Sequence, residues 1–179
     1  FQIPQGIVMW GGGGPGPRAI PGMYTVKMTS GSWSASQPFE LKADPNVDTT
    51  PAEYEAQLKL AREVGLKVAE LYRALAQIRD IKAQATELGQ RMQRAGLGDE
   101  AAKAADALSK KLVQIEGELT QLQGEGGQDA LNFPGRLDNQ FVALYSGIAN
   151  PDAGPSKGAY DRLADIEPEL AKHLSNLEE

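Results

Sequence analysis

The chain has no cysteine, one histidine, and aromatic side chains at only 6% of its 179 residues. Without thiols, disulfides and thiolate metal ligands are excluded, and a lone histidine cannot fill a metal shell. No apolar run approaches the ~20 residues that span a bilayer, so membrane insertion is not expected. Positive charge is also scarce, with 18 Lys and Arg against 24 Asp and Glu for a net charge of −6. That balance disfavours nucleic acid and anionic membrane surfaces as partners. Residue 1 is Phe rather than Met, and a strand-like segment begins almost at once. A fragment or processed chain is expected, with any signal peptide lying ahead of Phe1.

Two compositional regimes follow. Before about residue 50, Gly, Pro, Ser and Thr are dense and both tryptophans occur, which suits strands and turns. Beyond it, Ala, Leu, Glu, Gln, Lys and Arg dominate, and these favour helix. The pattern predicts strands over Gly6 to Trp10, Met23 to Thr29 and Trp33 to Leu41. Ser30-Gly31-Ser32 joins the last two as a hairpin. Tyr24, Val26 and Met28 alternate with Thr25, Lys27 and Thr29 as in a half-buried strand. Three strands cannot close a sandwich, so either the helices or further chain must cover the apolar face.

Between the first two strands, Gly11, Gly13 and Gly16 satisfy G-x-G-x-x-G. A dinucleotide loop needs its glycines to open into a helix whose amides hold the pyrophosphate. Here Pro15, Pro17 and Pro21 remove donors and a strand follows. A Walker loop fails because Pro17 stands where lysine should follow the last glycine. The run is expected to be a connection, with no cofactor bound.

Thr50-Pro51-Ala52-Glu53 is a helix start, with Thr50 as N-cap, Pro51 at N1 and Glu53 closing a capping box. Apolar residues from Tyr54 through Leu71, Leu75 and Ile78 to Leu88 and Met92 then recur at three- and four-residue spacings until Gly96-Leu97-Gly98. Helices are predicted over about 51–95, 99–123, 134–149 and 156–177. The stripe of the second, including Leu108, Leu112, Ile115, Leu119 and Leu122, should face that of the first in an antiparallel hairpin, with Leu112 and Ile115 at its centre. The second helix is shorter, so the half of the first around Tyr54 to Leu71 requires the third and fourth helices. Pro168 should kink or divide the fourth. The expected fold is mainly α with a small N-terminal antiparallel β part: strands of an incomplete sandwich over 1–48 and an uneven four-helix bundle over 49–179.

Candidate sites are weak. Asp44, Asn46, Asp48 and Glu55 match part of a calcium-loop pattern, but Thr49 stands where glycine makes the sharp turn and no helix enters the loop. No metal is expected there. His173 lies near the end of a helix and reads as solvated. Asp161, Asp165, Glu167 and Glu169 could suggest an acid and base pair, yet interleaved with Arg162 and Lys172 they read as a solvated face. Met9, Trp10 and Tyr24 read as sheet packing rather than a sugar platform. No catalytic, cofactor-binding or metal residue is assigned.

Gly16-Pro17-Arg18, Pro21-Gly22 with Tyr24 and Val26, Gln37-Pro38-Phe39, Asp44-Pro45, Gln77-Ile78-Arg79, and Asn132-Phe133-Pro134 with Leu137 are short motifs spread along most of the chain. Together they resemble the C-terminal region of large bacterial proteins that carry sialidase-like BNR (Asp-box) β-propeller repeats. These proteins are related to the sortilin propeller and are commonly labelled glycosyl hydrolases. The Gly11 to Gly14 run, and Asn46 where the family often has arginine, depart from the pattern. The resemblance implies that the first ~45 residues are the last strands of an immunoglobulin-like or fibronectin-like sandwich. It implies a propeller outside this chain and export to the periplasm or beyond the cell. No catalytic residue carries over.

Two functions follow as expectations. The first is a non-catalytic C-terminal module for scaffolding, interdomain packing or oligomerisation, partnered by the rest of its parent polypeptide or by another copy. The alternative is a part of a glycan-hydrolysing enzyme whose active site lies in the propeller. A convergent polar cluster on the β side would favour the second, and none is found.

Overall fold

The computed structural model describes residues 1, 3, 4, 7, 16–96, 99–124 and 131–178. Two strands, β1 Gly22–Ser30 and β2 Trp33–Leu41, precede four helices: α1 Pro51–Arg94, α2 Glu100–Leu119, α3 Leu137–Ala149 and α4 Lys157–Glu178. The fold is mainly helical with one small antiparallel two-stranded sheet.

β1 and β2 pair in register from Gly22 opposite Leu41 to Ser30 opposite Trp33, leaving Gly31 and Ser32 as the loop. Gly31 takes φ +57° and Ser32 does not share the positive φ, which fits the II′ turn that matches strand twist. The register puts Tyr24, Val26 and Met28 on one face with Phe39, Ala35 and Trp33. The Tyr24 and Phe39 rings stack with centroids 5.9 Å apart. Thr25, Lys27 and Thr29 share the other face with Pro38, Ser36 and Ser34. The expectation of half-burial is not met. No helix packs on either strand, and Val26, Met28, Trp33 and Phe39 are 54%, 65%, 55% and 46% exposed. Within the expected strand Gly6 to Trp10, Ile7 alone is described; it packs with Ile3 against the helical core. The rest of that segment, with the glycine run Gly11 to Gly14, lies outside the described residues.

α1 starts as its cap dictates. The Thr50 side chain accepts the Glu53 N–H, and the Glu53 carboxylate accepts the Thr50 N–H at 2.7 Å. That hydrogen bond holds the Glu53 pKa below the ordinary value. At ~1.5 Å per residue the helix is roughly 65 Å long. Its inward face, Leu60, Val64, Val68, Leu71, Leu75 and Ile78, is almost fully buried. The first half of α1 lies against α3, the second half against α2, and α4 rests on α3 and α2. All four helices share one core, centred on Phe141, Leu119, Leu137, Ile166 and Leu170 together with the α1 residues.

Four expected details are corrected. α2 stops at Leu119 because Thr120 turns extended and its hydroxyl donates to Asp138 Oδ2 at 2.7 Å, so Leu122 leaves the stripe and is 45% exposed. α3 begins at Leu137, since Arg136 before it is extended. Of the kink or division expected at Pro168, the division is absent, since α4 is one helix over Lys157–Glu178. Pro168 and Ala164 both face solvent, where water can satisfy the carbonyl that the proline leaves without a donor. Finally, the centre of the α1–α2 seam on α2 is Leu112, Glu116 and Leu119, whereas Ile115 sits half-buried on its flank toward α4.

Candidate functional site

Three of the four acidic residues singled out on α4 each lie against a different basic side chain. Asp161 accepts from Lys157 at 2.7 Å, Asp165 lies 3.9 Å from Arg162, and Glu167 reaches Lys67 on α1 at 2.7 Å. The hydrogen bond to Glu167 raises the Lys67 pKa against the opposing effect of burial. Glu169 is exposed. These carboxylates do not converge on a common space. Asp44 Oδ1 accepts the Asn46 backbone N–H and side-chain amide, each at 2.8 Å, so that carboxylate closes a local turn. Among the described residues no group of three acidic or histidine side chains is placed to hold a metal ion. Met9 and Trp10 lie outside the described residues.

His173 is placed differently from expectation. α4 runs back along α2, so its last turns pack there. His173 lines a shallow cleft of about 580 Å³ with Leu108, Ile115, Glu118 and Leu177. It is half-buried rather than fully solvated.

The buried polar groups are ones that residue patterning missed. Glu116 is 3% exposed, and its two carboxylate oxygens take Arg79 Nε and Lys82 Nζ from α1, each at 2.7 Å. Burial pushes its pKa up, but the hydrogen bonds from Lys82 and Arg79 outweigh it and hold the pKa below the ordinary carboxylate value. Asp138 is fully buried. It accepts from Thr120 and, through Oδ1, from the Asn139 N–H at 2.7 Å and side-chain amide at 2.9 Å. Burial dominates there, and its pKa is raised. Burial, helped by the Asp138 charge, also pushes the Tyr72 hydroxyl well above its usual range. Each of these carboxylates accepts protein donors on both oxygens, which ties the surrounding elements together. A partial signal was available for Glu116, which falls four residues after Leu112 on the α2 stripe.

The remaining candidate is the hairpin and the joint that carries it. Asp152, in the α3–α4 connection, takes hold of both chains leading to the sheet. Its carboxylate pairs with Arg18 at 2.9 Å, and its backbone carbonyl accepts from the Thr49 hydroxyl at 2.5 Å. Beneath it, buried Gln57 donates to the carbonyls of Ile148 (2.8 Å) and Pro151, tying α1 to the end of α3. Tyr24 donates its hydroxyl to the Ile20 carbonyl at 2.7 Å, bracing the base of β1. A cleft of about 520 Å³ opens between Arg18, Lys42, Tyr54 and Asp152. The joint positions the hairpin, whose apolar face is unpacked and whose two outer edges pair with no described strand. Among the described residues of this region, no nucleophile, base and orienting group come together. No protein-family model matches the chain, and no curated protein or solved structure is detectably similar to it.

Proposed function

We propose that the chain is a non-catalytic structural and interaction module: the closing strands of a β-sandwich mounted on an uneven four-helix bundle. In this reading it forms the C-terminal part of a BNR-repeat propeller protein of the glycosyl-hydrolase-like kind, exported to the periplasm or beyond the cell. The strands that complete the sandwich belong to its parent polypeptide. The observation that carries the reading is the hairpin: an amphipathic two-stranded sheet with its apolar face open, held off the helices by its own joint. A lone hairpin is marginal in water and needs further strands or a cover. A helical core that is fully buried without the hairpin gives the sheet a stable base.

Two measurements test the proposal. The gene ahead of Phe1 is expected to encode Asp-box repeats, and their absence sinks the family assignment. The 179-residue chain is expected to turn over no glycoside. Turnover that is abolished by changing one carboxylate, such as Asp161→Asn, overturns the non-catalytic reading.

A further inference from the structure

The two outer edges of the hairpin, which pair with no described strand, are not equivalent. Ser30 and Trp33 close a two-residue loop and therefore exchange hydrogen bonds, and the alternation of an antiparallel ladder then fixes every other pair. Val26 opposite Gln37 and Met28 opposite Ala35 are hydrogen-bonded pairs, whereas Thr25 opposite Pro38 is not. In a pair of the second kind the backbone groups of both residues face outward. The outer edge of β2 is thus formed by Ser34, Ser36, Pro38 and Glu40, and it lacks a donor in its middle because proline has no N–H. The outer edge of β1 is formed by Met23, Thr25, Lys27 and Thr29, and every one of them carries a donor.

Charge points the same way. Lys27 stands opposite Ser36 and ion-pairs with no described residue. Glu40, the only other charge within the two strands, lies on the same face, so the apolar face is uncharged. A second copy is a poor occupant. With strands of 9 residues, face-to-face packing of two hairpins buries roughly 600 Å² in total, about half of the ~1,200 Å² that stable interfaces need.

We propose that the outer edge of β1, Met23 to Thr29, is a strand-accepting edge for an extended segment of another polypeptide region. That segment carries apolar side chains beside Tyr24, Val26 and Met28 and an acidic residue beside Lys27. Pro38 blocks the same event on β2. This deepens the reading of the hairpin as part of a larger sheet and rests on it.

The test uses the 179-residue chain and the peptide Thr-Val-Thr-Val-Glu-Val-Thr-Val-Thr, with amide exchange followed residue by residue by NMR. Saturating peptide is expected to slow exchange at Thr25, Lys27 and Thr29 at least tenfold and to leave Ser34 and Ser36 unchanged. Lys27→Pro is expected to weaken binding at least tenfold, and Ser36→Pro less than twofold. Because a proline could disturb the hairpin itself, a charge reversal provides a second measure. Lys27→Glu is expected to weaken binding of the peptide, and the peptide with Lys in place of Glu should restore it. Protection on β2 instead, or equal loss from both prolines, overturns the choice of edge while leaving the larger-sheet reading intact. Slowing of the β1 amides with protein concentration alone makes a second copy the occupant and overturns the proposed partner. Failure of either edge to take the peptide overturns the proposal, whereas the larger-sheet reading stands or falls on the chain encoded ahead of Phe1.

Discussion

Glu116→Gln tests a carboxylate out of water that holds two cations on the opposing helix. Loss of hydrogen bonds to a charged group costs about 1.5–3 kcal/mol, and the lower part of that range is expected because Arg79 and Lys82 stay partly exposed and can rehydrate. The folded-state pKa of Glu116 is depressed, so its contribution is full above the model-compound value of 4.5 and is lost as pH falls through the folded value. The stability gap between wild-type and Glu116→Gln, measured by urea unfolding, should therefore narrow from pH 7 to pH 3. Asp138 carries the opposite sign. Its raised pKa means that ionisation costs folded stability at neutral pH, and this cost is relieved as pH falls through the raised value. Leu112→Ala is expected to cost ~2–5 kcal/mol as a buried aliphatic truncation. Ile115→Ala, half-buried at the flank, should cost about 1–2 kcal/mol by area. Equal losses at the two positions would contradict the observed facing of α2.

At the scale of elements, α1 and α2 come close at Gly89, where an added Cβ would lie 3.3 Å from Ala105 Cβ and 3.5 Å from Ala102 Cα. Neither neighbour has a flexible end to move. Gly89→Ala should lose most of the ~1 kcal/mol that helix propensity offers, and Gly89→Leu should destabilise the chain by forcing the helices apart, both read by thermal unfolding. The existence and type of these helices were legible because local signals agreed: Thr50 and Glu53 box the start of α1, and apolar residues recur at helical spacing. The hairpin was legible from Gly31 and the alternation around Val26. What escaped was tertiary. Whether Thr120 ends α2 depends on Asp138, 18 residues away, and whether Pro168 breaks α4 depends on which side of the helix meets water. Burial of Glu116 is equally silent locally, since its partners sit on another helix. The joint at Asp152 joins residues 103 and 134 positions apart, a pairing no short motif announces.

On the scale of the whole molecule, the sheet and the helical core are expected to unfold separately, since no strand packs on a helix. Trp33→Ser should leave the helical transition, followed by circular dichroism at the helix band, within about 0.5 kcal/mol of wild-type, as for other exposed positions. A shared transition lost on this substitution would show that the sheet contributes to the core. The two chains that flank the hairpin meet at one residue, Asp152, through Arg18 and Thr49. Mechanically this makes the hairpin a lever with a single pivot. A pull on either strand is delivered to the same point between α3 and α4, directly above the Gln57 tie into α1. Because Thr49 directly precedes the α1 N-cap, load on β2 is shared between the Asp152 tie and the first turn of the long helix, which the Thr50 and Glu53 capping box holds closed.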